Sequence, residues 1–231
     1  MMFKTENLKA LIKGYSIVEL MVALAVSAIV IAGTLAGYSV FASQYEVLNK
    51  RMEIDREVLG VISLIQKDVM MAGFKSHRST NGMNPGDVLK KTSATDFSMV
   101  FDTQEKEGDP VVRQLVRYSL GPGYTSADGG EIRNKLYRDL RDCDTPTSGC
   151  SLANSTSRYS AGGQGEVIMD KIHTFEVTFL NTKSSGKYSG ISQIVKINLT
   201  VAASRKVQGA SGWITKNFKF VSRAKNVSLL E

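Results

Sequence analysis

Proline is absent before Pro85, histidine and cysteine each occur only twice in 231 residues, and no charged side chain interrupts Leu20 to Ala42. Without proline, nothing in the first third of the chain forces a helix to stop or kink. The two histidines, His77 and His173, lie far apart, and neither has an obvious nucleophile beside it in sequence. There is no G-x-S-x-G elbow, no H-E-x-x-H pair and no Walker motif, so no active site is assigned and no cofactor is implied. Four nitrogen and sulfur ligands for a metal would require both histidines and both cysteines from distant segments, so metal binding fits poorly.

Hydrophobic residues make up 42% of the chain and charged residues 22%, which excludes both disorder throughout and wholesale burial in lipid. The length suits one sizeable domain with an appendage. The net charge is +7, and it is skewed toward one end: Ser204–Glu231 carries Arg205, Lys206, Lys216, Lys219, Arg223 and Lys225 against a single acid. A solvated basic face is the favoured reading of that skew, with phosphate or anionic lipid as the alternative.

Cys143 and Cys150 enclose six residues of turn chemistry in "CDTPTSGC". A disulfide there is favoured over two free thiols. It would add about 2–3 kcal/mol in the chain-entropy view and would point to an oxidising compartment such as the periplasm. Asp139, Asp142 and Asp144 beside this loop read as a solvated hairpin tip rather than a calcium loop.

The uncharged run from Leu20 to Ala42 would cover roughly 34 Å as a helix, enough for a hydrocarbon core of about 30 Å. Lys4, Lys9 and Lys13 precede it and the next basic residues are Lys50 and Arg51, which favours a cytoplasmic N-terminus and an exported remainder. A secretory signal cut near Ala23-Leu24-Ala25 would place a carboxylate within the removed stretch and leave Val26–Val40 as an apolar new terminus. A plain anchor leaves Glu19 costing about 2.5–3.5 kcal/mol if deep in lipid. A lone carboxylate is better explained by a positive partner, and no lysine or arginine in the span provides one. A newly made α-amino group would serve, if the chain were cut just ahead of Glu19 and a neighbouring copy brought its own terminus alongside.

"KGYSIVELMVALAVSAIVIAG", residues 13–33, resembles the cleavage and methylation motif of type IV prepilins and type II secretion pseudopilins. The resemblance implies cleavage by prepilin peptidase between Gly14 and Tyr15, N-methylation of Tyr15, and pairing of Glu19 with the N-terminal ammonium of an adjacent subunit. Tyrosine stands where phenylalanine or methionine is more usual.

Helical patterning continues past the span. After Val47 and Leu48, the residues Met52, Ile54, Val58, Val61, Ile62, Ile65 and Val69 recur at helical steps, so one helix of roughly 90 Å is expected from Tyr15 to about Phe74. The turn-rich "HRSTNGMNPGD", residues 77–87, ends it. Period-two segments follow at Phe97–Phe101, Val116–Leu120, Leu136–Leu140, Val167–Leu180 and Val195–Val201, with a last edge strand at Phe218 and Phe220. "SLGPGYTSADGGE" and "SAGGQGE" read as surface loops. The expected fold is α+β, a long N-terminal helix whose second half packs on an antiparallel sheet. Its parts would be a leader (1–14), a transmembrane or filament-core helix (15–45), an amphipathic helix on the head (46–76) and a β-rich periplasmic head (77–231).

"IQKDVMMAGF" (65–74), "VRYSL" (116–120), "LYRDL" (136–140) and "FKFVSRAKN" (218–226) are similar to the PilW branch of minor pilins and the related pseudopilin J branch. That resemblance implies a non-enzymatic assembly subunit of the inner membrane, processed and then built into the tip or initiating complex of a type IV pilus. Its partners would be other minor pilins, the major pilin or pseudopilins, prepilin peptidase and the inner-membrane assembly platform. Two other classes remain: a displayed adhesin or DNA-binding pilin using Lys216, Lys219 and Arg223, and a membrane-tethered enzyme depending on His173.

Overall fold

The computed structural model describes residues 16–76, 83, 88–103, 110–125, 132–143, 150–159, 165–181, 192–202 and 213–226. The break expected at 77–87, His77 included, lies almost entirely outside the described residues. The chain divides into two units, residues 1–46 and 47–231.

One helix, α1 (Ile17–Met71), runs for 55 residues. Its end is set by Gly73, whose φ of +77° is the left-handed conformation glycine adopts at helix C-termini. The chain then joins the sheet. Gly73 N–H donates to Val100 O at 2.9 Å, and Asp102 N–H donates to Phe74 O at 2.8 Å.

Within the second unit, α1 buries Ile54, Val58, Val61, Ile65, Asp68 and Val69. This is the expected stripe with two corrections. Met52 is 62% exposed and Leu48 55% exposed, because at 100° per residue they lie well around the axis from the buried face. An acid, Asp68, occupies a core position instead.

The sheet is built from β1 (Leu89–Ser93), β2 (Asp96–Thr103), β3 (Val112–Leu120), β4 (Tyr124–Thr125), β5 (Ile132–Cys143), β6 (Ser155–Ser157), β7 (Glu166–Asn181), β8 (Ser192–Ala202) and β9 (Thr215–Arg223). Its main path runs β1-β2-β3-β5-β7-β8-β9, with the short β4 and β6 pairing β5. Among the described residues every pairing is antiparallel. The expected α+β architecture is what the chain adopts, and β9 is an edge strand as its sequence suggests.

The sheet curls strongly. β2 and β7 are three steps apart, which in a flat sheet means about 14 Å, yet the rings of Phe97 and Phe175 lie 6.5 Å apart and those of Phe97 and Phe179 6.2 Å apart. Val177 N–H also donates to Ala94 O in the turn between β1 and β2 at 2.8 Å. The bend originates in β7, which pairs β5 through Glu166–Ile172 and β8 through Ile172–Asn181. Against β5 it carries extra residues in two places, and Lys171 at the crossing has φ +63°. Bulges of this kind sharpen twist and turn a strand from one sheet portion to the next. The core lies inside the curl, under α1, with Phe97 stacked on Tyr118 at 5.3 Å.

The opposite face of β2, β3 and β5 is charged yet buried. Asp102 pairs with Arg113 at 2.9 Å, with both side chains almost fully buried. Arg117 donates to Asp96; that hydrogen bond raises the guanidinium above its usual value against the opposing effect of burial, helped by the charges of Asp96 and Asp139. Asp139 is only 1% exposed and accepts from Arg141 at 3.0 Å and Ser157 at 2.6 Å. It is a structural anchor, which corrects the solvated-tip reading for that residue. Asp142 accepts from Arg158 at 2.8 Å and Gln114 at 3.2 Å, and Asp144 lies outside the described residues.

Candidate functional site

Helix α1 starts where it does because of Ser16-Ile17-Val18-Glu19, a serine followed three residues later by a glutamate. Val18 N–H donates to Ser16 Oγ at 3.3 Å, and Ser16 N–H donates to Glu19 Oε2 at 3.0 Å. This is a capping box, in which each side chain satisfies a backbone donor that the first turn leaves free. The negative carboxylate also sits at the positive end of the helix dipole. Glu19 therefore has a partner within its own chain, a role signalled by the Ser-x-x-Glu spacing rather than by the lone carboxylate itself. Gly14 and Tyr15, the expected cleavage and methylation positions, lie outside the described residues.

From Leu20 to Ala42 the helix carries no charge on any side. An 18-residue window reaches a mean hydropathy of 2.3 with none of it buried in the chain, so α1 is long and apolar enough to cross a membrane. Its few polar side chains are satisfied locally. Ser27 donates to Ala23 O at 2.7 Å, Thr34 to Ile31 O at 2.8 Å and Ser39 to Ala36 O at 2.8 Å. Hydrocarbon offers such groups no partner, so satisfaction within the helix is the condition for placing them there.

In the second unit the helix is locked to the sheet through Asp68. Tyr118 Oη on β3 donates to Asp68 Oδ2 at 2.6 Å, and Arg138 Nε on β5 donates to the same oxygen at 2.8 Å. Burial foremost, then the negative charge of Asp68, pushes the Tyr118 phenol far above the usual tyrosine range. Burial alone would lower Arg138; its bond to Asp68 and the charge there outweigh this and leave it above its ordinary value. Two further, more exposed straps sit earlier in the helix: Lys216 on β9 reaches Asp55 at 2.6 Å, and Lys171 reaches Glu57 at 3.4 Å and Glu53 at 3.9 Å.

Cys143 and Cys150 form a disulfide. Arg141 holds the returning chain by donating to Ser155 O at 2.6 Å, Ser155 Oγ at 3.0 Å and Leu152 O at 3.4 Å.

The remaining sequence candidates do not converge. His173 is exposed and is the extra residue of a bulge, falling between the pairs Ile172–Val201 and Thr174–Thr200. The three C-terminal cations do not share a face. Lys216 points to the helix, whereas Lys219 and Arg223 point outward. A depression of about 430 Å³ is lined by Glu57, Lys135, Val167, Ile168, Met169 and Asp170, a mixture of opposite charges and aliphatics without a nucleophile. Among the described residues, no group of three or more His, Cys, Asp or Glu is placed to hold a metal.

Comparison with known proteins returns one finding. Residues 10–35 match the family described as the prokaryotic N-terminal methylation motif. No curated protein and no solved structure matches the chain. The matched segment contains Gly14, Tyr15, the capping box and the start of the apolar helix, and it supports a pilin- or pseudopilin-type substrate of prepilin peptidase, a structural subunit that assembles with others of its kind.

Proposed function

We propose that this chain is a minor pilin of a type IV pilus, of the PilW kind, cut by prepilin peptidase between Gly14 and Tyr15, methylated at the new Tyr15 amine and built into the tip or initiation complex. The observation that carries the reading is the single carboxylate of Glu19 at the head of an otherwise uncharged, membrane-length helix within the matched motif. Before assembly Glu19 caps its own helix; in the filament it pairs with the Tyr15 ammonium of a neighbouring subunit. The leader stays cytoplasmic and the head lies in the periplasm, where the Cys143–Cys150 disulfide is stable. Partners are other minor pilins, the major pilin, the peptidase and the inner-membrane platform.

Two variants test this. Gly14→Val is expected to retain the leader, read by N-terminal sequencing of membrane-extracted protein; a mature terminus at Tyr15 in that variant would falsify the cleavage assignment. Glu19→Gln keeps an acceptor for Ser16 N–H but no charge, so it is expected to insert and be cleaved normally yet be missing from sheared pili. Normal incorporation of that variant removes the ion pair from the account and leaves only the cap. Deletion of the gene separates the branches: loss of surface pili supports the minor pilin, and loss of protein secretion with pili intact supports the pseudopilin J alternative.

A further inference from the structure

Strand β9 ends the sheet and, among the described residues, pairs on one side only, with β8. Its alternation sorts the side chains onto two faces. Phe218 and Phe220 stand opposite Leu199 and Ile197 and turn toward the core, half-buried. Lys219, Val221 and Arg223 turn outward and are exposed, Val221 by 55%.

Lys196 on β8 stands directly across from Val221, so it lies on the diagonal to both Lys219 and Arg223, about 7 Å from each. Three cations thus surround one exposed valine. Elsewhere on the head Arg113, Arg117, Arg138, Arg141 and Lys216 each have a carboxylate, and Arg133 and Lys135 lie over the rings of Trp213 and Tyr124. On the outward side the nearest acid by register is Glu176 on β7, opposite Asn198; it lies on the diagonal to Lys196 but two strands away from Lys219 and Arg223. Like charges on neighbouring strands repel, and among the described residues no acid stands on β8 or β9 between Lys196, Lys219 and Arg223.

We infer that the free edge of β9 accepts an added β-strand from a protein partner, with acidic side chains opposite Lys219 and Arg223 and apolar ones opposite Phe218, Phe220 and Val221. The unpaired backbone of an edge strand supplies the hydrogen bonds, and the alternating side chains fix register and identity. The cations also determine what is refused. A second copy of β9 would set lysine and arginine against themselves, so self-pairing is disfavoured while an acidic strand is attracted. A single-stranded nucleic acid fits less well, because apart from the bulged His173 the outward rows of β7, β8 and β9 hold no aromatic side chain for bases to stack on. The inference stands on the edge strand and not on the assembly role of Glu19.

The test uses the full chain in detergent micelles and a short fluorescent peptide with aspartate at the positions facing Lys219 and Arg223 and valine at those facing Phe218, Phe220 and Val221. The peptide is expected to bind saturably and to slow amide hydrogen exchange along Thr215–Arg223. Reversing the charges (Lys219→Glu with Arg223→Glu) is expected to weaken binding about tenfold, roughly 1.4 kcal/mol, and a peptide with lysine in place of aspartate should recover it on that variant. The recovery also shows that the variant is folded. Absence of saturable binding, equal binding by both peptides, or protection outside β9 overturns the inference. So does charge-dependent binding of duplex DNA or anionic vesicles by a chain that ignores the peptide.

Discussion

Asp68 sits three residues after Ile65 and one before Val69, on the buried face of α1 where periodicity calls for a hydrophobe, and it is 5% exposed. The sequence carries that signal, an acid in register with a core stripe. Its partners were not legible, because Tyr118 and Arg138 lie 50 and 70 residues away and reach it only through strand register. Removing one member of such a buried set leaves the others uncompensated. Asp68→Ala is expected to destabilise the fold by about 3–5 kcal/mol, measured by urea unfolding of the detergent-solubilised chain, and a loss below about 1 kcal/mol would mean the lock carries little. The raised Tyr118 phenol gives a second expectation with a definite sign. Below about pH 10, the ordinary tyrosine value, folded and unfolded chains both hold the proton and the contribution is intact. Above it the unfolded chain releases a proton that the folded chain retains, so stability falls as pH rises. Tyr118→Phe should therefore flatten the alkaline decline in melting temperature, and an unchanged slope refutes a buried, protonated phenol. Glu19 shows the same division. The motif exposed it as the odd residue in an apolar run; the Ser-x-x-Glu spacing also carried the signal for a cap, but the hydrogen bond to Ser16 N–H needed the helix start in place to be seen.

Among the elements, α1 and the long alternating strands could be read directly, because each repeats its period several times: Val195, Ile197, Leu199 and Val201 all fall on one face of β8. β1, β4 and β6 could not. They run two to five residues with little or no apolar alternation, and pairing to a longer neighbour defines them. The bulges of β7 were equally hidden, since one extra residue leaves no mark in a hydrophobic pattern. Lys171 makes the cost of that bend measurable. A non-glycine residue at φ +63° is strained, while its ammonium gains only partly exposed ion pairs with Glu53 and Glu57. Lys171→Ala keeps the strain and loses the pairs; Lys171→Gly loses the pairs and relieves the strain. The glycine variant is expected to be about 1 kcal/mol more stable than the alanine variant in chemical denaturation, and an alanine variant equal to or better than glycine would mean the left-handed backbone is not retained. Gly165 shows the same principle from the other side, since at φ +84° an added Cβ would lie 2.5 Å from Arg138 O.

At the scale of the whole molecule, the α+β plan follows from the order of one long helix and then strands, whereas the curl does not. Closing Phe97 onto Phe175 and Phe179 depends on where β7 leaves β5 for β8, a long-range outcome that no local window contains. The division of labour along the chain has a sharper consequence. Every buried helix residue falls between Ile54 and Val69, while the helix from Ile17 to Glu46 buries none and exposes large apolar side chains such as Ile29, Tyr38 and Phe41 at 73% each. Folding stability should thus come from residues 47–231 alone, and the apolar half-helix should contribute only a demand for lipid or for other helices. A chain beginning at Val47 is expected to be soluble without detergent, to unfold in one cooperative transition, and to melt within about 2–4 °C of the full chain, the shift that 1 kcal/mol produces at this size. Circular dichroism of both proteins in the same detergent makes the comparison direct. A large drop in melting temperature, or loss of cooperativity, in the shortened chain would show that the first half of α1 supports the head as well as anchoring it.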